Sequence, residues 1–219
     1  MKHLRIFYLL FLFLIYSTLS YSQKGEFQIR GGVGLAVYGT KSEFIFDFFG
    51  MKFHQTEEDG AATVHVPVEL RYGLTERFSA GLDVKFGSYL YDPDSAEGKS
   101  NRFLVIGPHV EFNLIANENF RWYLGAGFNT AALELQEDKE ETIPTRYISK
   151  YTGAGIRVNT GILWFFTHPL GLHFNVAFDS HAFKLKNFSV NGNDTNLDNI
   201  EGKLTVKGAD MVLGLVFRF

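Results

Sequence analysis

Apolar residues recur at every second position in segment after segment of this chain, and that period is the repeat of a half-buried β-strand. In the first segment Phe27, Ile29, Val33, Leu35 and Val37 share one face, while Gln28, Arg30, Gly32, Gly34 and Ala36 share the other. The second sets Val64, Val66, Val68, Leu70 and Tyr72 against His65, Pro67, Glu69, Arg71 and Gly73; the third sets Phe78, Ala80, Leu82, Val84 and Phe86 against Ser79, Gly81, Asp83, Lys85 and Gly87. The same alternation returns around Leu104–Leu114, Phe120–Asn129, Gly155–Phe166, Leu172–Asp179 and Asp210–Phe219, which makes eight segments. Their connections alternate as well. Leu74 to Arg77, Ala116 to Asn119 and Thr167 to Gly171 read as short turns; Thr40 to Gly60, Asp92 to Asn101, Glu134 to Lys150 and Asn187 to Lys203 read as long polar loops. Antiparallel strands joined in this way form an up-and-down meander, and closing it into a barrel removes the unpaired edges of an open sheet. The fold class expected is all-β, an eight-stranded antiparallel up-and-down transmembrane β-barrel.

Alternation alone does not say which face is outside, because a soluble barrel and a membrane barrel share the period with opposite orientation. The glycines decide. Gly32, Gly34, Gly81, Gly125, Gly127, Gly155, Gly161 and Gly214 fall on the face that also carries the charges. An eight-stranded barrel has an interior just wide enough for side chains, so glycines there make room for long polar partners. The apolar face is therefore assigned to lipid, and each apolar stretch is about nine or more residues, enough to cross a bilayer as a tilted strand. Aromatic girdles are expected at both ends: Phe120, Trp122, Trp164, Phe166, Phe217 and Phe219 towards the short turns, and Tyr38, Tyr89, Tyr91, Tyr151 and Phe183 towards the loops.

An export signal precedes the strands. Lys2 and Arg5 open it, Ile6 to Tyr16 is an uninterrupted apolar run, and Ser20 and Ser22 stand where a cleavage between Ser22 and Gln23 needs small residues. The domains expected are a signal peptide over 1–22 and a barrel over 23–219. Removing Lys2 and Arg5 takes the formal charge from -3 to -5, so no basic field exists for nucleic acid. With no cysteine, the chain has no disulfide framework, thiolate metal site or cysteine nucleophile.

The signal peptide, the eight alternating strands and the ending Leu215-Val216-Phe217-Arg218-Phe219 resemble the small outer-membrane β-barrel proteins of Gram-negative bacteria. That resemblance covers essentially the whole chain after the signal. It implies location in the cell outer membrane among its lipids, and it implies the barrel-assembly machinery as a partner, with Phe217 and Phe219 as the assembly signal. Such proteins include structural proteins, adhesins, small-solute channels and lipid-modifying enzymes, so the resemblance does not assign an activity.

The residues themselves favour a non-enzymatic barrel that acts through its surface loops or its presence in the membrane. Arg30, Glu69, Arg71, Asp83, Lys85, Glu111, Arg121 and Arg157 carry both signs on the inward face and are expected to form a buried ion-pair and hydrogen-bond network. Asp179-Ser180-His181 is a compact cluster with the residue types of a hydrolase, but neighbours on a strand point to opposite faces and do not converge. His65, His109 and His173 face inward on different strands as hydrogen-bonded neutral rings, and Asn191-Gly192-Asn193-Asp194 is ordinary turn chemistry rather than a calcium loop. No catalytic residue, cofactor or metal is assigned. The first long loop stands apart: Phe44, Phe46, Phe48 and Phe49 make it strongly aromatic, a contact surface for an extracellular ligand or protein unless it folds back over the barrel mouth. The alternatives are a lipid-modifying enzyme and a narrow-pore channel.

Overall fold

A computed structural model describes residues 23–48, 51–91, 101–139, 145–195, 197 and 200–219. The segments predicted from alternation form β1 (Phe27–Phe48), β2 (Met51–Gly73), β3 (Phe78–Tyr91), β4 (Arg102–Ala116), β5 (Phe120–Lys139), β6 (Thr145–Phe165), β7 (Leu170–Val190) and β9 (Ile200–Arg218), with a two-residue strand β8 (Asn193–Asp194) beside the end of β7. Each long strand pairs antiparallel with the next, and β9 returns to β1, where Phe27 and Phe219 exchange backbone hydrogen bonds of 3.2 and 2.9 Å. The eight long strands thus close a ring with no open edge through the belt.

Side-chain direction follows the sequence parity. Val33, Leu35, Val37, Phe128, Ile156 and Leu213 are exposed, whereas Arg30, Arg71, Arg121 and Arg157 are almost completely buried. This inversion of a soluble protein is the arrangement that lipid requires: apolar surface outside, polar groups paired within. Gly34, Gly125, Gly127, Gly155 and Gly161 make the room inferred for them, whereas an added Cβ at Gly32, Gly81 or Gly214 would meet the backbone of the neighbouring strand instead. A side chain at Gly34 would occupy the space of the His65 ring, one at Gly125 would meet His109 and Asn159, and one at Gly161 would meet the Tyr123 hydroxyl.

The three short turns are held by their own side chains. Thr75 Oγ1 accepts from the backbone N–H groups of Arg77 and Phe78, Asn117 Oδ1 accepts from Asn119 and Phe120, and Thr167 Oγ1 accepts from Leu170. At the opposite end the ladder runs further than the polar composition suggests. Residues 40–48 and 51–60 of the segment read as a loop are paired strand, the upper part of β1 and β2, with a register that runs from Thr40↔Asp59 to Phe48↔Met51. Much of 134–150 is likewise strand, paired as far as Lys139↔Thr145. Polar side chains do not end a strand whose backbone keeps a partner, and Thr, Ile, Phe and Tyr in these stretches suit a pleated surface. The β7 strand ends in a two-residue turn at Asn191-Gly192, both in the left-handed region at φ 52 and 82, as a tight hairpin turn requires.

The expected loop-side girdle is corrected. Tyr38, Tyr89, Tyr151 and Phe183 are buried inside the barrel rather than facing lipid; Tyr91 has a side chain outside the described ones. The reason is parity: Tyr38 follows Ala36 on the inward face, and Phe183 follows Asp179 and His181. With Ala36, Val105, Leu133, Leu204 and Val206 they form an apolar cluster in the part of the interior towards the long hairpins. The turn-side aromatics Trp122, Trp164, Phe166, Phe217 and Phe219 do lie outside.

Candidate functional site

Below the apolar cluster the interior is polar, and its charges sort into layers. In the middle layer Glu111 of β4 receives Arg30 of β1 through two parallel hydrogen bonds of 2.8 Å and the Nε of Arg71, from β2, at 2.8 Å. The bidentate fork is the strongest geometry available to such a pair. Glu69 and Asp83 stand directly opposite each other on β2 and β3, an unfavourable neighbouring of like charges. Arg71 relieves it by reaching Asp83 at 2.5 Å and Glu69 at 3.3 Å. Gln28 braces Arg30, and the His109 ring lies 3.2 Å from Asp83.

The next layer towards the outside joins Lys85 and Arg157 to Asp179 and Asp210. Lys85 reaches from β3 across the barrel to Asp179 of β7 at 2.9 Å and Asp210 of β9 at 2.6 Å. Arg157 bonds the same two carboxylates at 3.1 and 2.8 Å, and His65 lies 3.3 Å from Asp210. Asn175 ties the layers together, accepting from Arg157 and donating to the Tyr123 hydroxyl, which also meets His173 at 2.8 Å. Tyr123 in turn lies under the Arg30 guanidinium, 5.0 Å from the ring centre.

A third group seals the short-turn end. Arg121 holds Glu26 through hydrogen bonds of 2.6 and 2.7 Å, and Arg218 caps backbone oxygens of His168 and Glu118. Phe165 lies between the two guanidiniums, 5.2 Å from Arg121 and 4.0 Å from Arg218. Burial opposes ionisation of Glu26, but Arg121 outweighs it and holds the carboxyl below its usual range.

Of the eight charged residues singled out on the inward face, Arg30, Glu69, Arg71, Asp83 and Glu111 therefore meet in one layer. Lys85 and Arg157 belong to a second and Arg121 to a third. Their partners Asp179, Asp210 and Glu26 were not among the eight. Asp179 and Asp210 stand on the same face by parity; Glu26 lies before the first strand, where alternation carries no information.

At Asp179-Ser180-His181 the strand runs on unbroken. Asp179 joins the charge layer, Ser180 pairs across to Ile156 on the alternate parity, and His181 turns inward to Asn129 Oδ1 at 2.8 Å. Among the described residues no group of three His, Asp or Glu is placed to hold a metal ion.

The aromatic segment lies on the upper hairpin of β1 and β2. Phe44 and Phe46 stack at 6.3 Å, and Phe46 pairs with Phe53 across the hairpin. By parity both phenylalanines belong to the face that continues the lumen wall, as do Phe53 and Met51, which are 55% and 59% exposed. Phe44 packs in part on the neighbouring β9, over Gly202. Phe48 ends β1 without a described side chain, and Phe49 lies outside the described residues. At the other end of the barrel, Phe217 and Phe219 face outward near the last turn, with the Phe219 ring 6.4 Å from Phe27.

The closed ring of antiparallel strands has counterparts among solved structures. The outer membrane protein OprG from Pseudomonas aeruginosa superposes with a TM-score of 0.62 at 16% sequence identity, over 90% of this chain and 97% of that one. The fold is that of the small outer-membrane β-barrels. The cell outer membrane is the location that goes with it. The outer membrane protease OmpT from Escherichia coli, with a TM-score of 0.47 and 13% identity over 88% and 97% of the two chains, is a more distant match. Neisserial surface protein A matches at 0.39 and 13%, over 82% and 96%. No family model matches the chain, and no curated sequence is similar to it.

Proposed function

We propose that this barrel is a non-enzymatic surface protein of the outer membrane that binds an extracellular ligand through the hairpin of β1 and β2. The observation that carries this reading is the aromatic face of Phe44, Phe46, Phe53 and Met51. It stands on about 30 Å of strand past Gly39, where the outward face changes from Val33, Leu35 and Val37 to Lys41 and Glu43. Apolar side chains left half-exposed on a paired scaffold above the membrane favour contact with a partner. The interior supports the same reading. Cross-lumen pairs such as Lys85 with Asp210 and Arg30 with Glu111 sit beneath a packed apolar cluster, which favours a rigid support over a solute path.

The test uses full-length barrel in detergent on arrays of immobilised glycans and extracellular-matrix proteins. Binding that falls at least tenfold in Phe46→Ser/Phe53→Ser, with folding intact, supports the reading; binding unchanged by that pair overturns it. Conductance of porin size in planar bilayers would transfer the function to the lumen. Assembly is a separate part of the proposal: Phe217 and Phe219 on the last strand are the signal for the barrel-assembly machinery. Replacing both with Ser is expected to lower the amount of folded barrel in outer-membrane fractions while leaving refolding in detergent unchanged.

A further inference from the structure

We infer that the outward face of β4 to β7 carries a binding site for a phosphorylated, multiply acylated lipid of the outer leaflet. This site is separate from the hairpin and from the lumen. The strand register places Leu104, Ala132, Thr152 and Lys184 side by side across the four strands. One row nearer the short turns, Ile106, Thr130, Ala154 and Ala182 lie abreast in the same way. Small side chains in the middle of both rows, walled by Leu104 and Ile106, leave a depression of about 630 Å³ on a surface that elsewhere carries Phe, Leu, Ile and Val. A second hollow of about 580 Å³ continues it towards β3, sharing Leu104, Ala132 and Thr152.

Charge says what covers it. The row above Leu104 and Ala132 holds Arg102 and Lys150, with Glu134 between them, and Lys184 and Lys186 complete a cationic rim on β7. Lys150 is 3.6 Å from Glu134; Arg102, Lys184 and Lys186 make no ion pair with a described residue. Apolar hollows directly beneath exposed cations match a molecule with acyl chains below and phosphates above. The rim and the hollows lie in the half of the belt away from the chain termini and short turns, which is the outer leaflet's level in a barrel whose long hairpins face outward. Four strands are about 14 Å wide, room for several chains abreast, and the cations are distributed over that whole width. A glycolipid with two phosphates held apart by a disaccharide, lipid A, fits this width better than a two-chain phospholipid with one phosphate.

The test is native mass spectrometry of the full-length barrel in detergent, titrated with lipid A, with lipid A lacking one phosphate, and with phosphatidylglycerol. Lipid A is expected to be retained one to one and at least tenfold more tightly than either other lipid. Lys184→Ala/Lys186→Ala removes two near-surface cations and is expected to weaken lipid A by about thirtyfold. Ala132→Phe/Ala154→Phe, which fills the hollow and leaves every cation, is expected to weaken it as well. Equal retention of lipid A and phosphatidylglycerol by the unaltered protein overturns the proposal without any variant having to fold. Retention of lipid A unchanged in both variants also overturns it.

Discussion

At the residue scale the interior is set by pairing rather than by any single charge. Glu111 receives three charge-assisted hydrogen bonds from two buried arginines, so its loss strands two cations in a space with little water. Glu111→Leu is expected to lower unfolding stability by about 3–5 kcal/mol, read as an earlier urea midpoint in lipid vesicles. Replacing the more exposed Lys41, paired with Glu43 at 2.9 Å, is expected to change that midpoint hardly at all. The Glu26–Arg121 clamp predicts a pH dependence with a definite sign. Because the folded carboxyl is held below the ordinary 4.5, its stabilisation is complete above that value and disappears as pH falls through the folded one. Urea midpoints measured on acidification should therefore decline more steeply for the unaltered protein than for Glu26→Gln, which has already lost the clamp. These pairings were only partly legible in the sequence. Parity puts Arg30, Arg71 and Glu111 on one face, but it contains no information on the stagger that brings them to one height across the lumen.

At the element scale, backbone pairing outranks composition. Thr40 to Gly60 looks like a loop because it is polar and acidic, yet residues 40–48 and 51–60 continue as paired strand because each supplies the other's hydrogen bonds along that length. The same rule explains the four aromatics expected in a lipid-facing girdle: Tyr38, Tyr89, Tyr151 and Phe183 keep the parity of their strands and fill the lumen mouth. The hairpin that ends β7 depends on two left-handed residues, and a β-branched residue at Gly192 would be strained there. Gly192→Val is expected to open that tip to added protease on intact cells while the barrel itself still folds. Cleavage no faster than in the unaltered protein would mean that the turn is held by something other than its own geometry.

At the scale of the whole molecule, closure is what makes the apolar exterior tolerable: every strand has two neighbours through the belt, so no backbone group need face hydrocarbon unpaired. A closed ring pinned across its centre by Lys85–Asp210 and Arg30–Glu111 is expected to resist detergent until heated. Unboiled and boiled samples should therefore migrate differently on gels, and identical migration would contradict a stable barrel. Strand number, the antiparallel meander and the lipid-facing side could all be read from the chain, because period two is a local property and glycines mark the narrow side directly. The three charge layers, the apolar plug at the mouth and the cationic rim over a lipid-facing hollow could not. Each joins residues from strands far apart in sequence, such as Lys85 with Asp210 or Leu104 with Lys184 by way of β5 and β6. Their heights relative to one another are set by the stagger of the closed ring, a quantity that only the pairing of all eight strands defines.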